Sequence, residues 1–145
     1  MTPIKVLLAD DEREFTSILS KILRRRGFEV QVAVDGDSAL AALSRQRFDV
    51  VVLDVKMPGR DGIQVLGEIK ATAPSPEVIL LTGHVSATEE SDGLKTGAFA
   101  YLLKPYPVRG IIDCIEAAAA RSRESPVAGR APILPQIPPS PNQGA

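Results

Sequence analysis

Residues 6–12 read V-L-L-A-D-D-E, four apolar residues running straight into three acids. The apolar part, counted from Ile4 to Ala9, has the length and composition of a strand buried on both faces. The acids then stand at its C-terminal end, partly out of water. Neighbouring carboxylates repel, and desolvation raises the cost of ionising both. A compensating cation is therefore expected at this strand end. The same grammar recurs at residues 50–54, V-V-V-L-D, where Asp54 follows a fully apolar run.

Working outward, two periodicities alternate along the chain. Phe15, Ile18, Leu19, Ile22 and Leu23 recur at helical spacing, and Arg24-Arg25-Arg26-Gly27 makes a helix stop of last-turn cations followed by glycine. Phe28, Val30, Val32 and Val34 alternate with polar residues or alanine, as in a half-exposed edge strand. Asp35-Gly36-Asp37 offers caps for a second helix carrying Ala39, Leu40 and Leu43. After Val50–Leu53 come a Pro58-Gly59 loop with Gly62 and a helix with Ile63, Leu66 and Ile69. Val78–Leu81 is the fourth strand, ending in Thr82-Gly83. A more polar helix follows through Leu94 and stops at Gly97. Ala98–Leu103 is the fifth strand, closed by Lys104-Pro105. Ile111, Cys114, Ile115 and Ala118 share one face of a last helix reaching about Arg123, so Cys114 reads as a small core residue.

Strands alternating with helices imply a parallel sheet covered on both faces. Right-handed crossovers leave few topologies, and the doubly wound order 2-1-3-4-5, flavodoxin-like, puts the alternating second strand at an edge. In such sheets ligands bind beyond the carboxyl ends of the strands, at the point where the winding reverses. Asp10, Asp11, Asp54, Thr82 and Lys104 all stand at those ends.

At family-like separations, L-L-A-D-D-E, L-D-V-K-M-P-G-R-D-G, I-L-L-T-G and A-Y-L-L-K-P resemble the receiver domains of bacterial two-component response regulators, over residues 3 to about 123. The resemblance implies a CheY-like (βα)5 fold with Asp54 as the nucleophile that accepts a phosphoryl group from a phosphohistidine. It implies Mg²⁺ held by Asp11 and Asp54, with Asp10 acting nearby through water and the Lys56 carbonyl completing the protein ligands. Lys104 would bring a second cation to the phosphoryl oxygens and Thr82 a hydroxyl. Tyr101, three residues before the lysine, would turn inward on activation. The face made by the fourth helix, fifth strand and fifth helix would be the output, open to an effector or to a second copy in a homodimer. Lys56 and His84 hold positions where family members vary. The implied partners are a sensor histidine kinase or phosphotransfer protein and a downstream effector. The implied activity is limited to the domain's own phosphorylation and dephosphorylation.

Composition bounds the alternatives. The 145 residues, 44% apolar and 24% charged with a net charge of −1, are one soluble domain's worth of chain with no global attraction to nucleic acid or anionic membrane. The single cysteine excludes an intrachain disulfide, and neither a span nor a signal-peptide core is present, so a cytoplasmic protein is expected. The receiver domain is expected over residues 1–124. From Ser125 the composition turns proline-rich and nearly uncharged, and residues 125–145 read as a tail or linker unable to fold alone, leaving a stand-alone receiver. Arg24–Arg26 is explained by its helix end, and Glu89-Glu90 by the exposed start of the fourth helix. A haloacid-dehalogenase-type phosphatase would want an acid where Lys56 stands, and a flavodoxin would not set three carboxylates against a flavin phosphate. A scaffold that kept the fold without phosphorylation is the remaining rival.

Overall fold

A computed structural model describes residues 2–72, 74–83 and 87–124. His84, at a position where family members vary, and the segment 125–145, read as a proline-rich tail or linker, lie outside the described residues. The elements run β1 (Lys5–Ala9), α1 (Arg13–Arg25), β2 (Glu29–Ala33), α2 (Gly36–Arg45), β3 (Val50–Leu53), α3 (Gly62–Ala71), β4 (Glu77–Thr82), α4 (Ala87–Thr96), β5 (Ala100–Leu103) and α5 (Val108–Arg123). All strand pairs are parallel and the order is β2-β1-β3-β4-β5, as the alternation demanded. Element ends differ from the sequence reading by a residue or two. β4 is the clearest case: it starts at Glu77 and takes in Thr82.

The continuous apolar runs have a simple cause. Successive side chains of a strand point to opposite faces, so a sheet covered on both sides needs both sets apolar. Val6, Leu8, Val50, Val52, Ile79 and Leu81 pack on one face beneath α1 and α5. Leu7, Ala9, Val51, Leu53, Val78 and Leu80 pack on the other, beneath α2 and α3. Cys114 is fully buried in the first of these cores. β2, at the sheet edge, is partly exposed along most of its length.

Local chemistry sets where elements begin and end. Asp35 caps α2 by accepting from the Ser38 N–H at 2.7 Å, while Ser38 Oγ accepts from the Asp35 N–H, a reciprocal capping box. Gly27 and Gly97 end α1 and α4 with φ of 94° and 117°, in the left-handed region that side chains avoid. α4 is the most lightly anchored helix, since its one buried residue is Gly93. A Cβ at that position would lie 2.5 Å from Leu80 Cδ1, so a glycine is what lets α4 approach β4.

Candidate functional site

Among the described residues the buried polar ones are few, and Asp10, Asp54 and Thr82 are three of them. Each stands at the C-terminal end of a strand, and the sheet's own ladder continues far enough to hold their backbones. The Asp10 N–H donates to the Ala33 carbonyl at 3.0 Å, the Asp54 N–H to Ala9 at 2.9 Å, and the Lys104 N–H to Thr82 at 2.8 Å. The two aspartates then use the same local device. Asp10 Oδ1 accepts the N–H of Glu12 at 2.9 Å, and Asp54 Oδ1 accepts the N–H of Lys56 at 3.1 Å. These Asx-type turns fold the chain away from the sheet and fix one oxygen of each carboxylate, leaving the other facing the cleft.

Lys104 reaches into that cleft from the loop after β5, beside a cis Lys104-Pro105 bond. Its Nζ lies 2.6 Å from Asp10 Oδ2, 2.7 Å from Glu12 Oε1 and 3.8 Å from Asp54 Oδ2. The same ammonium sits 4.5 Å from the centroid of the Phe15 ring on α1, a cation–π contact. Thus one compensating cation demanded by the acids at residues 10–12 comes from the chain itself, across more than ninety residues of sequence.

The electrostatics follow from this packing. Burial raises the Asp10 carboxyl above the ordinary carboxylate range, although the hydrogen bonds from Lys104 and the Glu12 N–H pull the other way. For Lys104, burial opposes the charged form, but the bonds to Asp10 and Glu12 and the charge of Asp54 outweigh it and hold its pKa above the usual lysine value. Burial is also the largest influence on Tyr101, raising its phenol, with Glu89, Glu90 and Asp54 adding to the effect. Tyr101 is half-buried on β5 and packs against the second core.

The carboxylates of the cleft are close enough together to host a divalent cation. Oxygens of Asp10, Glu12 and Asp54 all lie within 4.8 Å of one another, which is within reach of a single ion. An all-oxygen set of this kind, open on one side, suits a hard cation such as Mg²⁺ that keeps several waters. Asp11 is exposed next to this group and is not part of it. The Lys56 side chain leaves the cleft altogether: its Nζ is 3.6 Å from Glu89 Oε2 at the start of α4. Two residues of the site went unmarked in the sequence reading. Glu12 was present in the D-D-E run but carried no assignment, and Phe15 was counted only as a helix-face residue.

Carboxylates and a lysine brought together at the switch point, with a threonine at the end of β4, mark the ligand-binding end of a doubly wound parallel sheet. The comparisons with known proteins narrow that class. Residues 6–116 match the response regulator receiver domain, and the chain belongs to that family, the receivers of two-component systems. It is 44% identical over 121 residues to the transcriptional regulatory protein CpxR of Klebsiella pneumoniae, covering 83% of this chain and 51% of that protein. The chain therefore spans about half the length, or less, of the curated relatives it matches. Among solved structures, a CheY-like receiver domain protein of Methanospirillum hungatei superposes with a TM-score of 0.80 at 26% identity, over 83% of this chain and 96% of that one. A response regulator of Burkholderia pseudomallei, solved with a phosphorylated aspartic acid, a calcium ion and citrate, superposes with a TM-score of 0.74 at 27% identity, over 81% of this chain and 69% of that one. Among the described residues no helix is long and apolar enough to cross a membrane.

Proposed function

We propose that Asp54 is the phosphoacceptor of this receiver, taking a phosphoryl group from the phosphohistidine of a sensor kinase or phosphotransfer protein. The observation that carries this reading is the placement of Lys104 Nζ within 3.8 Å of Asp54 Oδ2 and 2.6 Å of Asp10 Oδ2, in a cleft that also holds the Glu12 carboxylate. A phosphorylated aspartate with a divalent ion in the Burkholderia relative supports it.

In the transfer, an Asp54 oxygen forms the new P–O bond while the P–N bond to imidazole breaks and its electron pair returns to the ring nitrogen. The carboxylate is already the reactive form, so the chain needs no general base. Asp10, Glu12 and Asp54 would hold Mg²⁺, with Asp11 alongside, and the ion would supply charge neutralisation for the phosphoryl oxygens. Lys104 does its own share: the ammonium now shared by Asp10 and Glu12 turns to a phosphoryl oxygen, which is close by and more highly charged. The Thr82 hydroxyl, at the end of β4, is the donor for another oxygen.

The output follows from where these residues sit. Movement at Thr82 and Tyr101 reaches α4, the lightly anchored helix, and the apolar residues exposed on the α4-β5-α5 side include Leu94, Leu103 and Val108. Phosphorylation shifts the balance between two arrangements of this face, which an effector or a second copy reads.

The test is intact mass after incubation with acetyl phosphate, with and without Mg²⁺, on wild type and Asp54→Ala. One added phosphoryl group that requires both Mg²⁺ and Asp54 is the expected result. No adduct, under conditions that modify another receiver and with no binding of a stable phosphoryl mimic, would replace this reading with that of an unphosphorylated scaffold.

A further inference from the structure

Among the described residues, the Lys104 ammonium faces Asp10, Glu12, Asp54 and Phe15. Asp10 Oδ2 lies 2.6 Å away, Glu12 Oε1 2.7 Å, Asp54 Oδ2 3.8 Å and the centroid of the Phe15 ring 4.5 Å. All but Asp54 belong to the stretch that leaves β1 and starts α1.

Local structure explains why residues 12 and 15 meet the lysine together. Glu12 is the N-cap of α1, yet its side chain makes no capping hydrogen bond and turns to Lys104 instead. Residues three apart at a helix start share a face, so Phe15 emerges beside it. Phe15 also heads the apolar stripe of α1 that continues as Leu19 and Leu23, both buried. It is itself only partly buried and packs against that core. Any apolar side chain could close the stripe at this point. An aromatic one also presents the negative face of its π-system to the cation.

The four partners are not equivalent. Asp10 and Glu12 are among the carboxylates that would hold Mg²⁺, so the ammonium has to share them. The Glu12 side chain is 61% exposed, and an ion pair there restrains the lysine weakly. The ring is neutral: it is no ligand for a hard cation, and it does not compete with a phosphoryl oxygen for the ammonium. The Lys104 side chain is only 11% exposed, the desolvated setting in which a cation–π contact is strongest.

We propose that Phe15 is a positioning residue for phosphoryl transfer. Its ring face keeps the Lys104 ammonium inside the cleft, within reach of the group arriving on Asp54, while the carboxylates that share the ammonium are drawn to other charges. The flexible lysine stem would otherwise let its head follow Glu12 toward solvent. The proposal rests on Asp54 being the phosphoacceptor, and the ring acts through Lys104 without touching the reacting atoms.

The test compares the full chain as wild type, Phe15→Leu and Phe15→Tyr, well below their unfolding transitions. Leucine keeps the apolar stripe and removes the π face; tyrosine keeps the ring. The rate of mass gain from acetyl phosphate with Mg²⁺ is expected to fall about 2- to 30-fold in Phe15→Leu, the factor that corresponds to a lost cation–π contact. Phe15→Tyr is expected to restore it. In the metal-free, unphosphorylated protein, the Lys104 Hε protons are expected to show an upfield ring-current shift in NMR spectra of wild type and Phe15→Tyr that is absent from Phe15→Leu. Equal rates in all three proteins, a loss that tyrosine does not restore, or a wild-type Lys104 signal without the shift overturns the proposal and leaves Asp54 as the phosphoacceptor. A wild type that takes up no phosphoryl group overturns both.

Discussion

Gly62 is the first residue of α3, and Asp61 before it caps the helix by accepting the Ile63 N–H at 2.8 Å. The Gly62 N–H donates to the Val55 carbonyl at 2.8 Å, which draws the helix start onto the backbone of Asp54 and Val55. A Cβ at this position would lie 2.3 Å from the Asp54 carbonyl oxygen and 2.7 Å from Val55 Cα. Ordinary C···O contacts begin at about 3.3 Å, so Gly62→Ala must open the structure by about 1 Å. The obstructing atoms are backbone and cannot rotate aside. Overpacking of this kind costs about 1–3 kcal/mol. At about 4 °C per kcal/mol for a domain of this size, Tm falls by roughly 4–12 °C. The displaced atoms carry Asp54, and a misplacement of about 1 Å can cost up to about 10²-fold in rate. Thermal unfolding and the rate of mass gain from acetyl phosphate measure the two effects. Gly67→Ala is the control in the same helix: its Cβ meets nothing nearer than Thr96 Cγ2 at 3.9 Å, and helix propensity makes it stabilising by about 0.5–1 kcal/mol. A Gly62→Ala protein with wild-type Tm and wild-type phosphorylation would refute the close-packing argument.

Three further predictions concern other parts of the chain. Burial pushes the Cys114 thiol up to about 12, so iodoacetamide adds no mass to the native protein and modifies it only when urea is present. The raised pKa also means that the unfolded chain loses its proton first. Stability from this group is complete below about pH 9 and drops at higher pH by up to about 1.4 kcal/mol per unit, narrowing the gap in urea midpoint between wild type and Cys114→Ala. Asp35 behaves with the opposite sign: the N–H and hydroxyl of Ser38 hold its carboxyl below the usual value, so its stabilisation is present above the ordinary carboxylate pKa and disappears as pH falls through the lowered one. The difference in midpoint between wild type and Asp35→Ala should therefore be constant near neutrality and vanish in acid. Lys56→Met removes an exposed ion pair with Glu89, and its urea midpoint should correspond to a change below about 1 kcal/mol; a larger loss would mean that this pair anchors α4.

Much of this molecule was legible before any coordinates, and for a physical reason. A sheet buried on both faces needs uninterrupted apolar strands, and parallel strands need helices between them, so runs such as residues 50–53 and the helical spacing of Phe15 to Leu23 carry the topology in one dimension. Strand ends are equally legible, because a polar residue after an apolar run has one place to stand; Asp10, Asp54, Thr82 and Lys104 were found that way. What the tertiary structure decided is which of these groups touch. Adjacent Asp10, Asp11 and Glu12 are equivalent as a string, but a turn closed by Asp10 Oδ1 on the Glu12 N–H turns Asp10 and Glu12 toward Lys104 and leaves Asp11 exposed. Lys56 follows Asp54 by two residues and yet pairs with α4. Phe15 looks like any apolar helix residue until Lys104 arrives over its ring. Spacing along the chain specifies the end of the sheet at which a side chain emerges; its partners there depend on turn geometry and on loops brought together from across the fold.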